Sequence, residues 1–397
     1  MRALPTLLLA SLLAGLLAGG ALAPATAAPP RDTWTVPGDA TVTIRGHGYG
    51  HGHGMSQYGA EGAARDGLTY RQIIDFYYPG TQWGVSTGRV AVLLSADTTD
   101  DLVVVARPGL GLRDSAVRGL VALPDNGVRQ WRVSTGADGL SRVSYLTNRW
   151  HGWRLLEGDG EFSAGGDPIT LVTPAGERAY RGRLRSAMSG GGRVTVNVVS
   201  LESYLRGVVP LEIPASWSAE AVRAQAVAAR TYASYERRHP QSSAYQLCDT
   251  SSCQVYGGYG AEHDASNRAV DATRRQVLLS GGEPAFTQFA SSSGGWTSAG
   301  SVSYLPAQRD PYDGWSGNPV HTWSENVGDA VIERTWPAVG NLTRIAVTSR
   351  DGNGDWGGRI RSLTLSGSRG RVVVSGDTFR SMLALRSTWL TFRVAPR

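Results

Sequence analysis

The residue best placed for acid–base chemistry in this 397-residue sequence is Glu212. It lies between Pro210 and Pro214 and is flanked by Leu211 and Ile213. A carboxyl group on a rigid, apolar segment loses hydration, which disfavours its charged form and lets it act as a general acid near neutral pH. A protonated carboxylic acid is the state that can protonate a glycosidic oxygen. The same pattern also fits a surface glutamate in a turn.

A helix is predicted directly after this segment, over residues 218–238. Ser218 can cap it, Glu220 stands in its first turn, and arginines occupy its last turn, all of which favour the helix dipole. Alanines at helical spacing leave a smooth face that can pack closely on a sheet. Gln225 and Arg230 interrupt this surface, so each must find a buried partner, face a cleft or point to solvent.

Glycine and histidine alternate over residues 45–57, which read Arg-Gly-His-Gly-Tyr-Gly-His-Gly-His-Gly-Met-Ser-Gln. Glycine at every second position removes side chains from one face of the backbone and permits close approach of a ligand or another chain. If the segment is a strand, His47, His51 and His53 fall on its other face. Such a face could bind a metal, or the segment could be simple low-complexity sequence.

The chain has two cysteines, Cys248 and Cys253. In an oxidising compartment, a close pair of this kind is most simply a disulfide that closes a tight loop. The alternative is half of a zinc site that His239 or His263 would complete, although four-ligand spacing is not evident.

The first 27 residues have the pattern of a secretory signal peptide. Arg2 precedes an apolar run over 7–22, and Ala-Thr-Ala follows at 25–27. Retention as a membrane anchor is the alternative, but the run is short for a span and the small residues favour cleavage. No later stretch is apolar enough to cross a bilayer. We therefore expect a secreted, extracytoplasmic protein without a stable membrane span.

Composition and charge exclude several classes of protein. With 41% hydrophobic residues the chain can bury a large core, so global disorder is excluded. The net charge of +6 is scattered without like-charge runs, so no nucleic-acid partner is expected.

Short apolar runs separated by turn residues predict strands at 90–94, 102–106, 128–133, 169–172, 193–199, 360–365 and 371–374, and a short capped helix at 376–383.

These motifs together resemble the SpoIID/LytB family of bacterial cell-wall proteins. The resemblance covers nearly all of the chain after the signal peptide. It is carried by Gly-Val-Val-Pro-Leu-Glu-Ile-Pro at 207–214, the alanine-rich helix at 220–233, Cys-Asp-Thr at 248–250, Cys-Gln-Val-Tyr at 253–256, Ser-Ser-Ser-Gly-Gly at 291–295, Asp-Pro-Tyr-Asp at 310–313 and the glycine–histidine stretch through 50–60.

The fold class predicted is α+β: a β-rich, SpoIID-like domain with one prominent alanine-rich helix packed on a sheet and several strand insertions. We expect one composite unit rather than separate domains. Its predicted parts are a signal peptide at 1–27, a leader at 28–40, a glycine–histidine segment packing on the main domain at 41–84, and the SpoIID/LytB-like domain at 85–397 with an inserted region around 97–177.

The resemblance implies peptidoglycan chemistry, namely a lytic transglycosylase that cuts the MurNAc–GlcNAc linkage and leaves a 1,6-anhydro-MurNAc end. It assigns Glu212 as acid toward the leaving oxygen and then as base toward the C6 hydroxyl. This route needs one carboxylate because the substrate supplies the nucleophile, whereas retaining hydrolysis needs a second about 5–5.5 Å away. Glu202 and Asp249 are the carboxylates that could approach in space.

The predicted site combines Glu212 with side chains that hold the sugars. Many relatives carry the glycine–histidine stretch near the C-terminus, and close chain termini would let it occupy the same place here, with two of its side chains lining the Glu212 cleft. These two are His51 and Gln57. The full set of predicted substrate contacts is His51, Met55, Ser56, Gln57, Tyr58, Gln225, Arg230, Tyr256, Ser292 and Ser293.

The family also bears on the cysteines and on the serine loop. Some sporulation members are zinc-associated near this cysteine pair through a histidine, but Ser252 precedes Cys253 here, so we expect a Cys248–Cys253 disulfide and no cofactor. The serines at 291–293 lack the Gly-x-Ser-x-Gly elbow of a serine nucleophile, so a glycan-contacting loop is predicted.

A function from another class fits the same resemblance. LytB-type relatives are described as modifiers, so the chain could be a non-catalytic wall-binding module that recruits or stimulates a separate amidase. The predicted partners are therefore peptidoglycan glycan strands and, in the alternative, a cell-wall amidase.

Overall fold

The computed structural model describes residues 32–136 and 138–397. The predicted signal peptide and the first residues of the leader lie outside these ranges. Within them, no helix combines the length and the apolar character that a bilayer crossing requires.

The described chain is α+β and rich in strands, which confirms the predicted class. Its helices are α1 Gln57–Arg65, α2 Tyr70–Tyr77, α3 Leu201–Glu212, α4 Ala219–Arg238, α5 Asp264–Ala272, α6 Asp329–Thr335 and α7 Gly376–Met382. Its strands are β1 Thr33–Thr35, β2 Ala40–His47, β3 Met55–Ser56, β4 Gln82–Val85, β5 Arg89–Leu93, β6 Asp101–Val105, β7 Gly111–Asp114, β8 Val121–Ala122, β9 Gln130–Thr135, β10 Ser141–Leu146, β11 Trp150–Leu155, β12 Gly160–Ser163, β13 Ile169–Thr173, β14 Gly176–Tyr180, β15 Arg183–Ser189, β16 Gly192–Ser200, β17 Leu247–Cys248, β18 Gln276–Ser280, β19 Glu283–Pro284, β20 Phe289–Ala290, β21 Thr322–Gly328, β22 Leu342–Arg350, β23 Ile360–Gly367, β24 Gly370–Ser375 and β25 Leu390–Pro396.

The region around 97–177 supplies nearly all of one sheet and three strands of another. A six-stranded sheet has the order β11-β10-β9-β6-β13-β14, and a seven-stranded sheet has the order β17-β5-β16-β15-β12-β7-β8. The second sheet joins the predicted insertion to the strands that precede α3. Both sheets contribute to one large hydrophobic core with α1 to α4.

Helix α4 lies in the middle of that core and confirms the helix predicted over 218–238. All of its alanines except Ala219 are buried, and the helix contacts α1, α2, α3, α5 and strand β18, so it packs among helices as much as on a sheet. The Ser218 side chain makes no capping hydrogen bond, contrary to expectation. The Glu61 carboxylate accepts a hydrogen bond from the Ser218 N–H instead, at 2.8 Å.

The described residues also form a second hydrophobic core. Two sheets, β1-β22-β23-β24 and β21-β2-β25, surround it together with α6 and α7. Strand β2 pairs antiparallel with β25, so the glycine–histidine segment starts beside the C-terminal strand. Strand β2 is therefore part of the second core, although most of the chain separates it from β25 in sequence.

The glycine–histidine segment is not the continuous strand that its alternation predicts. Strand β2 ends at His47, and Gly48, Gly50, Gly52 and Gly54 all have positive φ, from 67° to 111°. Glycine adopts this conformation without steric cost, so the chain turns away from the sheet. The histidines consequently do not share one face. The His51 and His53 rings stack with centroids 5.0 Å apart. The His47 ring packs instead on Trp356 and Trp389.

Candidate functional site

A cavity of about 620 Å³ lies where α1, α3, α4 and α7 approach one another; we call it the Glu212 cavity. Its wall combines polar, aromatic and glycine residues. The lining residues are Tyr49, Gly50, His51, Gln57, Leu211, Glu212, Tyr232, Ser251, Ser252, Cys253, Val255, Gln288, Phe289, Ala290, Ser291 and Arg380.

Glu212 is the last residue of α3. The helix ends there because the following Ile213 precedes Pro214, and a residue before proline is pushed out of the helical region; Ile213 has φ −138° and ψ 139°. The Glu212 carboxyl is held from two sides. Its Oε1 accepts a hydrogen bond from the Val255 backbone N–H at 3.0 Å, and its Oε2 accepts a longer one from Gln57 Nε2 at 3.5 Å.

Burial raises the pKa of Glu212 above its ordinary value, and this effect outweighs the hydrogen bonds from Val255 and Gln57, which favour the charged form. The position at a helix C-terminus acts in the same direction as burial, because the dipole there disfavours a negative charge. The protonated acid is therefore more populated near neutral pH than for a solvated glutamate.

A parallel pairing brings the first turn of α1 to this cavity. Strand β3 pairs with β20, so Met55 lies opposite Phe289 and the next residues enter α1. Ser56 caps that helix by accepting a hydrogen bond from the Gly59 N–H at 2.9 Å. Gln57 then reaches both Glu212 and the Gln225 Oε1, each at 3.5 Å.

The serine loop behind the cavity wall is held by two buried aspartates. Asp313 accepts hydrogen bonds from the hydroxyls of Ser56, at 2.6 Å, and Ser292, at 2.8 Å. Asp310 accepts one from the Ser293 hydroxyl at 2.7 Å. These bonds orient the serine hydroxyls into the protein, so the loop contributes its backbone and Ser291 to the cavity.

The two other carboxylates considered from the sequence have their own partners. Both Glu202 oxygens accept hydrogen bonds from Arg230, at 3.2 and 2.8 Å. Both Asp249 oxygens accept the Ser95 backbone N–H at 3.1 Å. Among the described residues that line the cavity, Glu212 is the only carboxylic acid.

The predicted substrate contacts divide into two groups. His51 and Gln57 line the Glu212 cavity. The remaining contacts do not line it: Tyr58 packs against the rings of Trp217 and Trp315, and the other seven are buried. Those seven are Met55, Ser56, Gln225, Arg230, Tyr256, Ser292 and Ser293. In this conformation these seven side chains lie behind the cavity wall, and their contact with the sugar remains a prediction.

Sequence reasoning missed several residues of the wall. Tyr232 follows Arg230 by two positions on the predicted helix, and Arg380 stands in the short helix predicted near the C-terminus, so both lay in elements already recognised. Tyr49 was present within the glycine–histidine motif. No local signal points to Phe289, which enters the wall through the pairing of β3 with β20.

The cysteine pair forms the predicted disulfide, Cys248–Cys253. It closes the loop whose residues 251–253 line the cavity. The histidines proposed for a zinc site are engaged elsewhere: the His239 ring stacks on Tyr235, and His263 Nδ1 accepts the Ala265 N–H at the start of α5. Within 32–136 and 138–397, no group of three or more His, Cys, Asp or Glu residues is arranged to hold a metal.

Fold and site together define an α+β protein with one carboxylic acid in a polar and aromatic cavity. Residues 189–279, which include α3, α4 and the disulfide loop, match the SpoIID model, described as "Stage II sporulation protein". This confirms the resemblance seen in the motifs: the segment is similar to the SpoIID family.

Relatives with assigned names agree with that match. The chain is 51% identical over 144 residues to Stage II sporulation protein D of Bacillus subtilis, covering 30% of this chain and 41% of the relative. It is 41% identical over 121 residues to the Amidase enhancer of the same organism, covering 28% and 16%. With Stage II sporulation protein D of Bacillus amyloliquefaciens it shares 26% identity over 247 residues, covering 56% and 66%. The chain thus matches less than two thirds of each of these relatives.

Proposed function

We propose that this protein acts on the bacterial cell wall, outside the cytoplasmic membrane, as a peptidoglycan lytic transglycosylase. The observation that carries the proposal is the half-buried Glu212 carboxyl, with a raised pKa, as the single acid among the described lining residues of a 620 Å³ cavity. Relatives named for sporulation and amidase enhancement support a role at the wall.

In the first step Glu212 acts as general acid. Its proton passes to the glycosidic oxygen as the bond between that oxygen and C1 of MurNAc breaks, and the GlcNAc end leaves as an alcohol. The group must be protonated beforehand, which the raised pKa favours.

In the second step the same group acts as general base. The Glu212 carboxylate accepts the proton of the C6 hydroxyl while O6 bonds to C1, which closes the 1,6-anhydro ring and restores the acid. No water is consumed and no second carboxylate is required. This agrees with the separate engagement of Glu202 and Asp249.

The cavity wall offers the contacts that a sugar chain needs. Tyr49, Tyr232 and Phe289 supply aromatic faces for the apolar side of sugar rings, and Gln57 and Gln288 supply amides for hydroxyl and acetamido groups. These contacts would orient the scissile bond toward Glu212.

Product analysis tests the proposal directly. Purified protein incubated with glycan strands, without any partner enzyme, is expected to release fragments that end in 1,6-anhydro-MurNAc. Mass spectrometry separates these from hydrolysis products, which are heavier by one water. Release of only reducing ends would contradict transglycosylation, and unaltered strands would contradict catalysis altogether.

The relative named Amidase enhancer favours a second candidate, in which the chain binds the wall and stimulates an amidase. The same preparation is then expected to leave glycan strands intact while it raises the rate at which a cell-wall amidase removes stem peptides. A Glu212→Gln variant separates the two functions, because enhancement by binding alone would survive the substitution.

Activity is expected to decline as pH rises through the pKa of Glu212, because the reaction begins with the protonated acid. Burial raises this pKa, so the alkaline limb of the kcat/KM profile lies above the ordinary glutamate value of about 4.3. Gln57→Ala removes a hydrogen bond that favours the charged form and is therefore expected to move the limb to still higher pH. A shift to lower pH would contradict the assignment.

A further inference from the structure

The structure has a second cavity, of about 290 Å³. Both cavities border the same two chain segments, 47–51 and 291–295, which the Tyr49–Ser292 bridge joins. The functional side chains of this second cavity are His47, Trp296, Arg309, His321, Asp355 and Trp389. The Glu212 mechanism uses none of them.

His47 forms part of the wall of the second cavity. Its side chain is 13% exposed, and neither ring nitrogen makes a hydrogen bond within the described chain. Its ring lies between Trp356 and Trp389, with centroid distances of 4.7 and 4.6 Å. The Asp355 carboxylate stands 3.4 Å from Nε2 but is not aligned for a hydrogen bond. Both nitrogens are buried, so His47 shapes the wall of the cavity through its ring rather than through a polar contact.

His321 is held with one ring nitrogen available. Its Nδ1 lies 2.8 Å from the buried Asp313 carboxylate, which leaves Nε2 as the remaining polar atom of the ring. This nitrogen can donate or accept a hydrogen bond according to the tautomer. The lining also contains one basic side chain, Arg309, and two acidic ones, Asp310 and Asp355.

Glycines keep the space beside His321 open. A Cβ atom at Gly295 would meet only the His321 ring, at 3.5 Å, and one at Gly314 would meet the same ring, at 3.3 Å. Any larger residue at these positions would fill the cavity. Gly314 has an ordinary backbone conformation, so nothing in its own φ requires glycine.

We propose that the second cavity binds a hexosamine ring of a glycan strand, an inference that rests on the proposed function. The half-buried Trp296 offers an aromatic face for the ring, and His321 Nε2 offers a hydrogen bond to a hydroxyl or acetamido group. The volume suits one sugar unit, since small-molecule sites begin at about 300 Å³. The site thus holds the strand beside the place of cleavage.

Tryptophan fluorescence can report this cavity selectively, because Trp296 lines it and no tryptophan is among the described residues that line the Glu212 cavity. Glu212→Gln protein, titrated with an N-acetylglucosamine tetramer, is expected to show a saturable fluorescence change. Adding Gly314→Ala places a methyl group against His321 and is expected to weaken binding about tenfold or more. Adding Gly152→Ala, whose Cβ meets open space, is the matched control and is expected to leave affinity unchanged.

The inference is overturned if no saturable change occurs, or if the Gly314→Ala and Gly152→Ala proteins bind alike. Thermal unfolding of both variants verifies that Gly314→Ala is folded, and Trp296→Phe provides a second variant expected to diminish the signal. Failure of the proposed function looks different: wild-type protein would yield no anhydro product while the Gly314-sensitive binding persisted. Conversely, normal product formation without such binding would reject the second cavity alone.

Discussion

Glu212→Gln is expected to reduce the release of anhydro-muropeptides by about 10²–10⁴-fold, the range that a general acid–base group contributes. The amide has nearly the shape of the acid and can still accept the Val255 N–H, but it can neither donate a proton to the leaving oxygen nor accept one from the C6 hydroxyl. Chromatography with mass spectrometry, using glycan strands and purified protein, measures the change. Equal release by variant and wild type would remove Glu212 from the mechanism.

The matched control for this substitution is Glu177→Gln, which makes the same chemical change at an exposed position of β14. It is expected to retain wild-type activity.

The stability of the Glu212→Gln variant distinguishes loss of chemistry from loss of fold. Because the folded-state pKa of Glu212 is raised, the wild type loses stability as pH rises from the ordinary glutamate value through the raised one, and the amide does not. The variant is therefore expected to match the wild type at low pH and to be no less stable at neutral pH.

Arg230→Met is expected to lower the free energy of unfolding by about 3–5 kcal/mol, the cost of breaking a buried ion pair. Arg230 is fully buried in α4 and donates to both Glu202 oxygens, and also to the Val270 carbonyl at 3.0 Å. The substitution leaves the Glu202 carboxylate, only 14% exposed, without its cation. Urea denaturation followed by circular dichroism measures the difference.

Arg238→Met provides the comparison within the same helix. Arg238 pairs with Glu283, but both side chains are more than half exposed, so its loss is expected to cost less than about 1 kcal/mol. The double variant Arg230→Met with Glu202→Gln is expected to recover part of the lost stability, since it removes the uncompensated charge. If the Arg230 and Arg238 variants unfold at the same denaturant concentration, the buried pair does not stabilise the fold as argued.

Local chemistry made several elements predictable. Helix α4 follows from its alanine content and its terminal charges, which act within the segment itself. The end of α3 at Glu212 follows from Pro214, although the sequence analysis did not predict that helix. The disulfide follows from two cysteines that are close in sequence. The glycine–histidine segment was misread because alternation suggests a strand, whereas four positive-φ glycines produce turns.

The amino-acid sequence by itself determined the family resemblance, the main helix and the candidate acid, because each depends on neighbouring residues. Only the tertiary structure decided which side chains meet that acid. Gln57 and Glu212 are 155 residues apart, and they approach because β3 pairs with β20 and α1 packs on α4. Burial of the serine hydroxyls and of Arg230 was likewise settled by packing, since a polar side chain turns inward only where distant segments supply its hydrogen-bond partners.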